Sequence, residues 1–220
     1  MKALLFDFGG TLDSDGLTWK DRFFSIYREA GIDVPQDRFD RAFYDADDHL
    51  AARHRLEGLT LPQTVSLQVE DVLTRLDCAK EGVGSRISDR FVDDCRGYFE
   101  RNRPVLTRLK RRYRLGIVSN FYGNLPGILS TEGLSDLFGV VADSTLLGHA
   151  KPAPEIFLFA AGKLGAEPGE CLMVGDSIPR DMKGAEGLGM SHALLTSANA
   201  ACCAQAWKLR RFPELESLLS

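Results

Sequence analysis

The stretch Ala3-Leu4-Leu5-Phe6-Asp7-Phe8-Gly9-Gly10-Thr11-Leu12-Asp13 constrains the fold of this chain more than any other. Ala3 to Phe6 is a short apolar run, the pattern of a strand buried on both faces. It stops abruptly at Asp7, and two glycines and a hydroxyl residue follow. In open α/β sheets ligands bind outside the carboxyl ends of the strands. Glycines there let backbone N–H groups approach an anion without interference from a Cβ. A carboxylate at such a tip reads as a chemical site, with turn capping by Asp7 as the structural alternative.

From Leu17 to about Asn102 no strand pattern occurs. Trp19, Phe23, Ile26, Tyr27 and Ala30 recur at helical spacing, and Gly31 closes that helix. Phe39, Phe43, Ala46 and Leu50 mark a second helix. Pro62 opens a third, carrying Val65, Val69, Val72, Leu73 and Leu76. Ile87, Phe91, Cys95 and Tyr98 mark a fourth. The aromatic side chains of this block read as core. Asp45, Asp47 and Asp48 beside His49 read as the solvated face of a helix rather than a metal site.

From Pro104 the pattern changes to alternating helices and strands. A basic amphipathic helix is expected to run to about Tyr113. Strands follow at Leu115–Val118, Val140–Ala142, Leu172–Val174 and, last, Ala193–Leu195, with helices led by Pro154 and Pro179 between them and a closing helix at Leu215–Leu219. Such alternation implies a parallel, doubly wound sheet with right-handed crossovers. Residues 1–13 and 104–220 are therefore expected to form an α/β core domain, and residues 14–103 an inserted all-helical domain. Strand one would be central, flanked by the strands ending at Ser119 and at Gly175-Asp176-Ser177.

That topology brings Asp7, Ser119 and Asp176 together. Neighbouring carboxylates repel unless a cation lies between them. Oxygen-only ligands favour a hard ion such as Mg²⁺. Asp181, five residues after Asp176, is placed to bind the ion or hold its water. Lys151, on a loop stiffened by Pro152 and Pro154, suits neutralising a phosphoryl group. Ser119 and the glycine turn at Gly9-Gly10 offer donors for the same anion. Together these parts describe phosphoryl chemistry.

Four stretches, Asp7-Phe8-Gly9-Gly10-Thr11-Leu12, Ile117-Val118-Ser119-Asn120, Lys151-Pro152 and Gly175-Asp176-Ser177 through Asp181, occur in the order found in the haloacid dehalogenase-like (HAD) hydrolase superfamily, which the chain resembles over essentially its whole length. The helical insertion resembles that family's helical cap, which closes over the site and selects substrate. The resemblance implies that Asp7 is a nucleophile forming an aspartyl intermediate, and that Gly10, Thr11, Ser119, Asn120 and Lys151 hold the transferring group. It implies that Asp7, the Gly9 carbonyl, Asp176 and Asp181 form the Mg²⁺ site. Phosphatases of the family usually carry a second aspartate two residues after the nucleophile, and here that position is Gly9. General acid–base catalysis is worth about 100- to 10,000-fold, so turnover is expected to suffer unless another group substitutes. Asp13, Asp15, Tyr122 and His149 are nearby in sequence or on adjacent loops; Asp13 and Asp15 read rather as a hinge. Gly9→Asp is expected to raise phosphatase activity.

The expected function is that of a Mg²⁺-dependent phosphatase or phosphotransferase acting on a small phosphorylated metabolite. The alternatives are a non-catalytic phosphoryl-ligand binder, a haloacid dehalogenase, or a phosphonatase-like enzyme using Lys20 or Lys80 as a Schiff base. A net charge of −4 gives no electrostatic footprint for nucleic acid or an anionic membrane. No segment has the length and apolarity of a membrane span and no signal peptide is visible, so a cytoplasmic location is expected. The five cysteines fall in no metal-ligand spacing and are expected to be reduced, with Cys171 in the core. The sequence leaves oligomeric state open.

Overall fold

The computed structural model describes residues 1–196 and 206–219; Cys202 and Cys203 lie outside them. Six parallel strands form one sheet in the order β3-β2-β1-β4-β5-β6. Strand β1 (Ala3–Phe6) is buried at every position. It pairs with β2 (Arg114–Ser119) on one side, Phe6 opposite Ile117, and with β4 (Cys171–Gly175) on the other, Phe6 opposite Val174. This register carries Asp7, Ser119 and Asp176 to one edge of the sheet. Beyond β2 lies β3 (Val140–Asp143), and beyond β4 lies β5 (Ser191–Leu195). The outermost β6 (Trp207–Leu209) is absent from the strands expected above. Only Leu209 of its three residues is buried, so it leaves no periodic signal.

Helices α1 (Trp19–Glu29), α2 (Gln36–Arg53), α3 (Leu61–Arg75) and α4 (Val83–Lys110) follow β1. They pack through aromatic side chains. Phe23 stacks on Phe91 with centroids 3.9 Å apart, and Trp19 meets Phe91 edge-on at 5.0 Å. The buried side chains of these helices and those of one sheet face form one continuous cluster. The sequence pattern predicts a break before Pro104, yet α4 runs unbroken through it. Proline removes a donor to the carbonyl four residues earlier. Pro104 and Glu100 are both exposed, so water can take that bond.

Helix α4 is tied back to the first turn. The Asn102 amide donates to the Leu12 carbonyl at 3.0 Å, and Arg101 grips Asp15 through two bonds of 2.6 and 2.7 Å. Asp15 also accepts from the Phe212 N–H at 2.9 Å. The other α-helices among the described residues are α5 (Leu125–Thr131), α6 (Ser144–Leu147), α7 (Pro154–Lys163), α8 (Lys183–Glu186) and α9 (Glu214–Leu218). The helix expected from Pro179 is a wide turn over Ile178–Met182 running into α8. Among the described residues no helix is long and apolar enough to cross a membrane.

Candidate active site

Asp7 follows directly on β1 and is nearly buried. Its Oδ1 accepts from its neighbour's N–H (Phe8, 2.7 Å) and from Ser119 Oγ (2.9 Å), and lies 2.7 Å from Lys151 Nζ. Three donors thus converge on Oδ1. Oδ2 has no protein partner among the described residues. A carboxylate with one oxygen held and the other free is oriented for attack through the free one.

Lys151 is buried between two carboxylates, with Asp181 Oδ1 also 2.7 Å away. Burial works against its charge, but Asp181 and Asp7 outweigh burial and raise the ammonium above the ordinary lysine value. Asn120 fixes its backbone: Asn120 Oδ1 accepts from Lys151 N at 2.7 Å, and Nδ2 donates to the Lys151 carbonyl at 3.1 Å. Both polar ends of the Asn120 amide are therefore engaged in holding the lysine loop.

Asp7, Asp176 and Asp181 each offer an oxygen within 4.8 Å of the others. Asp176 sits at the end of β4, where Thr11 Oγ1 donates to its Oδ1 at 3.3 Å. Burial, and then the charges of Asp7 and Asp181, push its carboxyl well above the usual range. Burial also raises Asp181, against the pull of Lys151. The Asp181 side chain is oriented by the Ser177 N–H, 2.9 Å from its Oδ2. Three crowded carboxylates with only one buried ammonium among them suit a hard divalent cation held by oxygen.

The glycines are set by these carboxylates. Gly10 has φ +90°, and a Cβ there would fall 2.6 Å from Asp176 Oδ2. The Gly10 N–H donates to Asp13 Oδ1 at 2.7 Å. It is bonded within the loop rather than presented to a ligand. Gly175 likewise has no room for a side chain against Asp181.

Asp13 is fully buried and gathers the turn together. Its Oδ2 accepts from Trp19 Nε1 at 2.6 Å and from Arg22 Nη1 at 2.9 Å. Burial opposes the charge of Arg22, and Asp13 overrides it, holding the guanidinium ionised. The indole so anchored covers Gly9, and a Cβ built on Gly9 would meet Trp19 Nε1 at 3.1 Å. Trp19 thus crowds the Cβ position of residue 9 beside Asp7, so a side chain there requires the indole to give by a few tenths of an ångström.

Above the sheet edge a cavity of about 310 Å³ is shared between the strand tips and the inserted helices. Asp7, Lys151 and Asp176 form its floor, and Trp19, Phe43 and Asp47 come from α1 and α2. Lys20 also lines it, paired with Asp21 (3.0 Å) and Asp40 (3.1 Å). Lys80 is exposed and stands outside the cavity lining. His149 does too, exposed and 3.9 Å from Glu155.

One acidic residue departs from the expected solvated face. Asp45, Asp48 and His49 are exposed, but Asp47 turns inward. Its Oδ1 accepts from Gln68 Nε2 at 2.9 Å and from the Tyr122 hydroxyl, which reaches it from the loop after β2. Its spacing carries the signal: Asp47 lies four residues after Phe43 and three before Leu50, on the buried stripe of α2.

The sheet order and the carboxylates at the strand tips define an open α/β protein with its reactive edge at the centre of the sheet. A model of the haloacid dehalogenase-like hydrolase family matches residues 1–189, and the chain belongs to that family. It is 41% identical over 88 residues to the haloacid dehalogenase-like hydrolase domain-containing protein 3 of Bos taurus, covering 40% of this chain and 35% of that protein. It is 39% identical over 104 residues to the N-acylneuraminate-9-phosphatase of Homo sapiens, covering 44% and 40%. The chain thus matches two fifths or less of the length of these relatives. It is also similar to the crystal structure of a HAD phosphatase from Thermococcus onnurineus, with TM-score 0.61, 25% identity, and 100% and 98% of the two chains covered.

Proposed function

We propose that this chain is a Mg²⁺-dependent phosphatase acting on a small phosphorylated metabolite through an aspartyl-phosphate at Asp7. The observation that carries this reading is the asymmetry of the Asp7 carboxylate, with three donors on Oδ1 and, among the described residues, none on Oδ2. Names among the relatives support it, since two of the three similar proteins above are phosphatases.

In this reading Asp7 Oδ2 attacks phosphorus, the Ser119 hydroxyl donates to the phosphoryl oxygens and the Lys151 ammonium neutralises them. Asn120 keeps Lys151 in place, and Thr11 steadies Asp176. Asp7, Asp176, Asp181 and the Gly9 carbonyl would hold the ion, which when bound supplies charge neutralisation between nucleophile and phosphoryl group. Residues 14–103 serve as the cap over the 1–13 and 104–220 core, and the cavity between them admits the substrate.

The test is phosphate release from p-nitrophenyl phosphate and from a panel of phosphorylated metabolites. Activity should require Mg²⁺, fall on adding EDTA and vanish in Asp7→Asn. The indole covering Gly9 favours a second reading, a phosphoryl-ligand binder without turnover. Tight binding of a phosphoryl mimic with no release from any substrate would establish it.

A further inference from the structure

With glycine at position 9 and Trp19 over it, the proton for a leaving group has to come from elsewhere in the cavity. Asp21 is bound to Thr18 Oγ1 (2.8 Å) and Lys20 at the entrance to α1. Asp7, Asp176 and Asp181 form the strand-tip cluster. Asp47 remains. Both of its donors, Gln68 Nε2 and the Tyr122 hydroxyl, reach Oδ1, while Oδ2 has no protein partner among the described residues. The carboxyl is thereby held by one oxygen from α3 and the β2 loop, and its other oxygen is free on a residue that lines the same cavity as Asp7.

We propose that Asp47, delivered from the helical cap, is the general acid and base of the phosphoryl transfer, in place of the acid that Gly9 lacks; this rests on the phosphatase reading. In the first step Asp7 Oδ2 forms a bond to phosphorus as the bond from phosphorus to the leaving oxygen breaks. That electron pair stays on the leaving oxygen, which takes the proton from Asp47 Oδ2. In the second step water attacks the aspartyl-phosphate and gives its proton to the Asp47 carboxylate. The electrons of the Asp7–phosphorus bond return to Asp7, and both residues regain their starting states. Burial raises the Asp47 carboxyl above the ordinary aspartate value, with Asp48 acting the same way and Tyr122, Arg180 and Gln68 opposing. That direction favours the protonated form relative to a free aspartate.

The competing role is a simple strap, because the Asp47–Tyr122 bond joins α2 to the sheet domain. Asp47→Asn separates the two, since its amide oxygen still accepts from Tyr122 and Gln68 but has no proton of carboxyl acidity. The probes are 2,4-dinitrophenyl, p-nitrophenyl, phenyl and methyl phosphate, a series of increasingly poor leaving groups. In Asp47→Asn, kcat/KM for phenyl and methyl phosphate should fall by about 100-fold or more, and for 2,4-dinitrophenyl phosphate by less than tenfold. The same variant should show a burst of p-nitrophenol followed by slow turnover, because the water step has lost its base. Tyr122→Phe, which cuts the strap and keeps the carboxyl, should retain the wild-type dependence on leaving group. An equal loss on all four esters, or no loss, in Asp47→Asn overturns the proposal while leaving Asp7 as nucleophile. Failure of the wild type to release phosphate from any ester overturns the phosphatase reading, and this proposal with it.

Discussion

Trp19 Nε1 lies 3.1 Å from the point where a Cβ on Gly9 would sit, and the same N–H donates to Asp13 at 2.6 Å. Gly9 and the tryptophan are therefore packed as one feature. An aspartate at position 9 needs a few tenths of an ångström from an indole packed edge-on against Phe91 at 5.0 Å and Phe121 at 5.9 Å. The expectation from sequence, that Gly9→Asp raises activity by restoring an acid at that position, does not include the indole. The structure predicts instead that Gly9→Asp alone gains nothing and unfolds at lower temperature, by several degrees, as overpacking costs about 1–3 kcal/mol. Gly9→Asp combined with Trp19→Leu should release phosphate from p-nitrophenyl phosphate faster than either single variant. Steady-state rates and melting curves of the three variants check both statements. A rise in Gly9→Asp alone would show that the indole moves freely.

Asp13 is predicted to be a folding residue. It is the acceptor for a backbone N–H, an indole N–H and a buried guanidinium. Asp13→Ala strands Arg22 among Phe91, Tyr98 and Cys95 with its carboxylate gone. Breaking a buried pair by removing one partner costs about 3–5 kcal/mol, so the urea midpoint should drop sharply. Asp15→Ala removes a partly exposed pair with Arg101 and the acceptor of the Phe212 N–H, and should cost less, about 1–3 kcal/mol. Equal midpoints for the two variants would contradict the burial argument.

How far this arrangement was legible in the sequence depended on the kind of signal. Strands β1, β2 and β4 announce themselves as apolar runs that end in polar residues. Their parallel order then places Asp7, Ser119 and Asp176 side by side, as the register shows. Local chemistry was harder to read. Gly10 and Asn120 look like ligand donors in sequence, yet their polar groups bond to Asp13 and to the backbone of Lys151. Such pairings span 3 and 31 residues and depend on where side chains turn, which periodicity does not encode. Asp47 was hidden by its exposed neighbours, although its place on the Phe43–Leu50 stripe was visible. Pro104 misled because a proline on an exposed helix face can be accommodated without ending the helix.

Lys20 is predicted not to form a Schiff base. An amine must lose its proton to attack a carbonyl. Burial favours the neutral form, but the bonds to Asp21 and Asp40 prevail and raise the ammonium above the ordinary lysine value. The amine is therefore charged throughout the neutral range and becomes a nucleophile only at higher pH than a free lysine. Treatment with a phosphonate-bearing aldehyde and borohydride at pH 7 should label wild type and Lys20→Arg equally. Label confined to the wild type, mapped to Lys20 by mass spectrometry, would restore the phosphonatase-like alternative.

Lastly, the strand-tip carboxylates should make stability depend on pH and on divalent ions. The Asp176 carboxyl is held well above its ordinary value of 3.8 by burial and by Asp7 and Asp181. The folded state therefore binds this proton more tightly than the unfolded chain does. Stability from this group is fully present below the unfolded value and is lost as pH rises through the folded one. Above the unfolded value this carboxyl is a net cost to the metal-free protein, so Asp176→Asn should raise its melting temperature. Each kcal/mol recovered is worth about 2–4 °C in a chain of this size. Added Mg²⁺ should stabilise the wild type by mass action and Asp176→Asn much less. Thermal melts at pH 5 and pH 8, with and without Mg²⁺, read all of this without reference to catalysis. If Asp176→Asn melts lower than the wild type without metal, or gains as much from Mg²⁺, the three aspartates are not the repelling, ion-seeking cluster that their spacing implies.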